Sequence, residues 1–189
     1  MEKERKLQII RMAEKRFARH GINKTTLDEI ARDLRIGKAT IYHYFNSKDE
    51  LFYAALAWEC QQFLEEIKNI FSKEDTNAIN KLTEYFMFKV TLNQKYNLLY
   101  DALLVILKEN NFENEVEQIK NLFIDEEEIL SAFIRKNFSE KKIFQHASSI
   151  SLLIYQSWGL VFTGKINQVL QPVNEGSIKE SLLSIIENL

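Results

Sequence analysis

Between Thr25 and Leu51 the chain carries a dense run of local signals that admits few folds. Thr26 is followed by Glu29, the spacing at which each side chain satisfies a free backbone N–H at the start of a helix. Leu27, Ile30, Ala31 and Leu34 then recur three and four apart, the period of one helical face. Ala31 is small, so a second helix can approach closely. Arg35-Ile36-Gly37 breaks the pattern, and Gly37 can stand as the N-cap of a short helix from Lys38 to Tyr44. In that helix Ile41 and Phe45 point inward, while Lys38, Ala39, Thr40, Tyr42 and His43 lie on or near the other face. Ser47 with Glu50 repeats the capping pattern and opens a long helix at Lys48. Two short helices about a turn form a helix-turn-helix, whose second helix is shaped to enter the DNA major groove.

The rest of the chain reads as helix as well. One proline and five glycines leave little from which to build strands and hairpins, so an all-α fold is expected. The 189 residues are 46% hydrophobic, enough for a sizeable core. We expect a three-helix DNA-binding domain over residues 1–46 and a larger helical bundle over 47–189. A first helix from about Lys3 to His20 carries the stripe Ile9, Ile10, Ala13 and Phe17, ends at Gly21, and closes a small core with Ile30, Leu34, Ile41 and Phe45. The helix from Lys48 to about Phe71 starts beside that core and continues into the body, which makes it the mechanical link. Asp75 and Thr76 can cap the next, to about Leu92; others are expected over about 93–108, 112–136, 139–164 and 175–187.

Thr25-Thr26, Ile30-Ala31 and the run from Thr40 to Leu51 together resemble the N-terminal signature of TetR-type transcriptional regulators. The resemblance covers roughly the first quarter of the chain; the remainder is similar to the family in length and helical character. The family's turn commonly reads Ala-Gly-Val-Ser, where this chain has Leu34-Arg35-Ile36-Gly37. Either Arg35 adopts the left-handed conformation a glycine would take, at about 1 kcal/mol, or Gly37 reshapes the turn. The resemblance implies a dimer on a palindromic double-stranded DNA operator, released by a small apolar or aromatic ligand.

Charge distribution agrees with that division of labour. Residues 1–50 hold 12 Lys/Arg against 8 Asp/Glu, and residues 51–189 hold 13 against 19, so +4 and −6 make up the overall −2. A lone cysteine, Cys60, excludes an intrachain disulfide and fits a reducing cytoplasm. Met1 to Arg19 is too charged for an apolar leader. Residues 143–164 carry no formal charge yet hold too many serines and glutamines for a comfortable membrane span, so no membrane partner is expected.

Candidate DNA contacts are Thr26, Lys38, Ala39, Thr40, Tyr42, His43, Tyr44 and Lys48. Lysines and hydroxyls can bind phosphate oxygens, and residues near the start of the second helix can reach base edges. By resemblance, Tyr42, Tyr44 and Lys48 stand at the family's contact positions; the bland alternative is a solvated face with half-buried tyrosines. The aromatic body offers Gln62, Phe63, Phe86, Met87, Tyr100, Leu103, Phe123, Phe133, Tyr155 and Phe162 as walls of a cavity, or simply as core. Shape is expected to matter there more than charge. Ile150, Ile154, Trp158, Val161, Leu182 and Ile185 form apolar stripes on the last two helices, expected to pair with a second copy.

Catalytic alternatives find little support. No histidine stands three residues after a glutamate, as a di-iron bundle would need, and there is no zinc-protease, phosphate-loop or dinucleotide motif. No cofactor or metal is expected. Cys60 reads as a small buried residue, His146 as structural, and Glu126-Glu127-Glu128 as a solvated face. The other reading of the chain is a structural or partner-binding bundle without ligand response, which leaves the Thr40–Lys48 cluster without a purpose.

Overall fold

The computed structural model describes residues 2–108, 113–138, 147–162 and 173–188. Among the described residues all regular structure is helical, as the composition requires: α1 (Glu2–His20), α2 (Leu27–Asp33), α3 (Lys38–Tyr44), α4 (Lys48–Ser72), α5 (Ala78–Val90), α6 (Leu92–Lys95), α7 (Asn97–Lys108), α8 (Glu113–Phe138), α9 (Ala147–Leu160) and α10 (Glu175–Asn188). The chain forms two compact units, residues 1–62 with 96–120 and residues 63–95 with 121–189.

The first unit is built around α1, α2 and α3. Ile9, Ala13, Phe17, Ile30, Ile41 and Phe45 are completely or almost completely buried, as their helical spacing predicts, and Leu34 is half-buried at the rim. Arg16 of α1 grips Asp33 of α2 through two hydrogen bonds of 2.6 and 2.9 Å. Gly21 ends α1 with φ +77°, a left-handed backbone that suits glycine. The capping box is present in both directions: Glu29 N–H donates to Thr26 Oγ1 at 3.3 Å, and Thr26 N–H donates to Glu29 Oε2 at 2.9 Å. At the next cap only half of the expected box forms. Glu50 N–H donates to Ser47 Oγ, while the Glu50 carboxylate accepts from the backbone and side-chain amides of Asn46.

Arg35 takes the left-handed conformation, with φ +54°, and Gly37 does not. Arg35 N–H donates to Arg32 O and Ile36 N–H to Ala31 O, the paired bonds of a Schellman helix end. A glycine is the usual occupant, so the arginine holds this geometry at about 1 kcal/mol. The stretch expected as one helix over about 93–108 is two, α6 and α7. Buried Glu59 of α4 accepts from Leu99 N–H at 2.6 Å, satisfying a free donor at the start of α7 from a different helix.

In the second unit α5 packs against α9 and α10. Its cap is Asn77, whose side chain accepts from Asn80 N–H at 2.9 Å, and not the expected Asp75 or Thr76. Leu82, Tyr85, Phe86 and Phe88 are buried, so α5 is covered on several sides, as an apolar-all-round sequence demands. No described helix is long and apolar enough to cross a membrane.

Candidate nucleic-acid interface

The short core of the first unit decides which residues of α3 remain outside. Ile41 is fully buried and Phe45 nearly so, which turns Lys38, Ala39, Tyr42 and His43 outward and leaves Thr40 and Tyr44 half-buried. Tyr42 is 49% exposed, a large ring left in solvent by a helix with buried positions to offer. Thr26 is exposed beside its capping role. The geometry brings the α3 candidates onto one accessible surface.

Their tethers are light. Lys38 Nζ pairs with Asp28 at 2.7 Å on the surface, and this bond holds the lysine proton more tightly than usual. Lys38 also stands 6.0 Å from the Tyr42 ring centroid. His43 Nε2 is 3.8 Å from Glu2, and its ring meets Tyr44 edge-on. A phosphate oxygen can replace such exposed partners at little cost, because both ions remain solvated. Thr40 and Tyr44 line a cleft with Glu2, Glu4, Arg5 and Gln8 of α1.

Lys48 is different. It is half-buried, and its ammonium donates to Ile22 O at 2.8 Å and Thr25 O at 3.3 Å. It therefore pins the α1–α2 turn to the start of α4. That role was not foreseen in the sequence, because the acceptors are carbonyls more than twenty residues away. Arg35, which holds the turn, is also an exposed cation beside the start of α3.

The aromatic residues of the body are brought together only in part. Gln62, Tyr100 and Leu103 belong to the first unit; Phe63, Phe86, Met87, Phe123, Phe133, Tyr155 and Phe162 belong to the second. Phe63 stacks on Phe88 and touches Trp158, Phe123 meets Trp158 edge-on, and Phe133 stacks on Phe71 at 4.2 Å. Tyr155 does not join them; it is 73% exposed. A cleft of about 280 Å³ is lined by Phe86 of α5, Gln156 and Leu160 of α9, and Val173, Ser177, Ile178, Ser181 and Leu182 around α10.

An ion pair sits among these rings. Lys89 and Glu126 are fully buried, with Nζ 2.5 Å from Oε1. Tyr85 OH donates to the same oxygen, Trp158 Nε1 donates to Oε2 at 2.7 Å, and Tyr85 OH also meets Ser157 Oγ at 2.9 Å. Burial, the Glu126 charge and the Glu126 hydrogen bond raise the Tyr85 phenol well above its ordinary value, and burial pulls Lys89 down. This corrects the reading of residues 126–128 as a solvated face. Glu128 is exposed and Glu127 half-buried against Ser151, but Glu126 is inside. The signal was available: Glu126 continues the stripe Ile119, Leu122, Leu130 and Phe133.

The expected dimer residues also need correction. Ile150, Ile154, Trp158, Val161 and Leu182 are at most 6% exposed within the protomer, and the Ile185 side chain lies outside the described residues. The large apolar side chains that α9 turns outward are Leu152 and Tyr155. This helix is apolar almost all round, so its period alone does not say which stripe faces the protomer's own core. Cys60 is buried, and burial pushes its thiol up to about 12, in keeping with an inert packing residue.

A buried three-helix core presenting α3 is the arrangement of a DNA-binding helix-turn-helix. Residues 9–55 match the model of the bacterial regulatory proteins of the tetR family. Over 176 residues the chain is 27% identical to the biofilm operon icaADBC HTH-type negative transcriptional regulator IcaR of Staphylococcus aureus, covering 90% of each. Solved structures share the fold. The transcriptional regulator FadR of Bacillus subtilis in complex with stearoyl-CoA has a TM-score of 0.65 at 18% identity, covering 97% of this chain and 98% of that one. A regulator from Saccharomonospora viridis in complex with choline has a TM-score of 0.71 at 15% identity, covering 98% and 96%. The N-terminal segment of this chain thus matches the tetR family of bacterial regulatory proteins, and the whole chain is similar to TetR-type transcriptional regulators.

Proposed function

We propose that the chain is a ligand-responsive repressor that binds a palindromic operator as a homodimer, with residues 1–46 reading DNA and residues 47–189 holding ligand and partner. The observation that carries this reading is α3: a short helix fixed by buried Ile41 and Phe45 that holds Lys38, Thr40, Tyr42 and His43 at an accessible surface. Repression is supported by the likeness to a negative regulator. Ligand response is supported by the cleft in the second unit and by fold neighbours captured with small molecules. The ligand is taken to have an apolar or aromatic body, to fit walls of Phe86, Leu160, Val173, Ile178 and Leu182. It acts through α4, one unbroken helix from Lys48 to Ser72, to change the placement of α3 and lower operator affinity. Work in the cytoplasm agrees with an unpaired, buried Cys60.

Self-association is assigned to the outward apolar residues of α9, Leu152 at 56% and Tyr155 at 73% exposed, with Ile124 of α8 at 47%. A two-fold pair of reading heads matches a palindromic target, with half-sites about one helical turn, ~34–36 Å, or a multiple apart. The test is sedimentation with operator titration. Leu152→Glu with Tyr155→Glu should give folded monomers with weakened operator binding. A variant that still dimerises refutes the assignment of this face, and a monomer with full operator affinity refutes the dimeric reader.

A further inference from the structure

We propose that Arg35 is a phosphate anchor: its guanidinium holds a backbone phosphate of the duplex beside the groove that α3 enters. This rests on the DNA-reading role given to α3 above and adds to it a residue of the turn. The starting observation is a contrast between two helix ends. Gly21 closes α1 with φ +77°, and Arg35 follows α2 with φ +54°. Glycine takes a left-handed backbone freely, while a residue with a Cβ is strained there. Among the described residues Arg35 is the only non-glycine residue so held. A local rule broken at a cost points to something the side chain supplies in return.

The fold itself does not use that side chain. Arg35 is exposed, and among the described residues it is tied by its backbone alone, through its N–H to Arg32 O. No carboxylate, carbonyl or ring there holds the guanidinium. Other cations of the same unit are engaged by the protein. Arg16 grips Asp33, Lys38 meets Asp28, Lys48 donates to the Ile22 and Thr25 carbonyls, and Lys6 stands over the Phe45 ring. An exposed lysine without a partner costs the fold nothing; Arg35 carries a backbone penalty as well. Its return lies outside the protomer.

Position identifies what lies there. Residues at the start of a recognition helix reach base edges within the groove, so the turn that precedes them stands at the groove's border, where the phosphates run. Arg35 is two residues before Gly37, the N-cap of α3, which makes no side-chain hydrogen bond. In Leu34-Arg35-Ile36-Gly37 the arginine is the only side chain with a donor to offer an anion. The bonds Arg35 N–H to Arg32 O and Ile36 N–H to Ala31 O fix the turn, so the side chain leaves from a rigid base. A guanidinium presents a planar fork of donors that matches two phosphate oxygens at once. Such a contact carries no sequence information and strengthens binding to every duplex alike.

The test is anisotropy titration of the full chain on a palindromic and a scrambled duplex at about 50 and about 200 mM salt, with thermal melting of each variant. Arg35→Gly should melt higher than wild type and bind both duplexes about threefold to tenfold less tightly, with a salt slope shallower by about one per protomer. Arg35→Asn tolerates the left-handed backbone without the charge and should show the same loss. Arg35→Lys should keep the slope and recover part of the affinity, because the charge remains and the fork is lost. Stability and affinity moving in opposite directions is a result that a purely structural arginine does not give. An Arg35→Gly variant with unchanged affinity and slope overturns the anchor. So does a loss confined to the palindrome, an Arg35→Lys variant with the slope of Arg35→Gly, or an Arg35→Gly variant that melts lower. In each of those cases a wild type that prefers the palindrome leaves the DNA-reading role of α3 standing. If wild type binds neither duplex in a salt-dependent way, that role falls and the anchor falls with it.

Discussion

Lys38 and Lys89 are both lysines on short helices, yet the protein treats them in opposite ways. Lys38 stands on the surface of α3 beside Asp28, with water around both charges. Lys89 is enclosed by rings and one carboxylate, with no exposed surface. The first arrangement costs the fold little and leaves the ion available to another partner. In the second, the ions are so far from water that neither can lose the other without penalty. Binding at α3 is thus a matter of exchange at a surface, while any event at Lys89 is coupled to the stability of the whole unit.

The largest effect should come from separating the buried pair. Glu126→Ala leaves Lys89 charged and uncompensated, and urea denaturation should register a loss of about 3–5 kcal/mol. Lys38→Ala should leave the Tm where it is, since that pair is exposed. A loss below about 1 kcal/mol for Glu126→Ala would mean that water reaches the pair and that the contrast is false.

Glu59 sharpens the contrast from the first unit. Burial pushes its carboxyl up to about 7, opposed by the Leu99 amide and reinforced by Glu14 of α1 and Asp101 of α7. The folded protein therefore holds this proton more tightly than the unfolded chain, whose carboxyl titrates near its ordinary value. Between those two values the native state binds more protons, so stability falls as pH rises and the loss is complete above about 7. The span is up to about 3 kcal/mol. Glu59→Gln should flatten this part of the pH–stability curve and melt higher than wild type at alkaline pH. An unchanged slope would place Glu59 in contact with solvent.

Lys48 lies between the extremes. Lys48→Ala should weaken specific and non-specific DNA binding alike and make the salt slope shallower by about one. Unlike Lys38→Ala, it should also lower the Tm, because the Ile22 and Thr25 carbonyls lose their donor. The smallest effect is expected at the turn. Arg35→Gly removes the strain of a left-handed arginine and should stabilise by about 1 kcal/mol. Destabilisation there would show that the arginine side chain contributes more than its backbone costs.

What was legible in the sequence was local. The Thr26–Glu29 box, Gly21 as a helix stop and the inward Ile41 and Phe45 are signals whose partners lie within one or two turns, and all appear in the structure. The missed features have distant partners. The Glu59 cap on α7, the Lys48 carbonyl contacts and the Lys89–Glu126 pair join residues far apart in sequence, and no period reports them. Glu126 was the exception: its place on an apolar stripe was visible, and its two acidic neighbours disguised it. On α9 the difficulty was of another kind. A helix apolar on most sides conceals which stripe is core, so its period does not show that Trp158 and Ile154 lie within the protomer.

The central claim is that the outward face of α3 reads DNA sequence. The most direct test is anisotropy titration of wild type and the Thr40→Ala, Tyr42→Ala double variant on a selected palindromic duplex and a scrambled one, at about 50 and about 200 mM salt. The account predicts that the variant stays folded and dimeric, keeps the salt-dependent binding to scrambled DNA, and loses about 1–3 kcal/mol of preference for the palindrome. A variant as selective as wild type would contradict it.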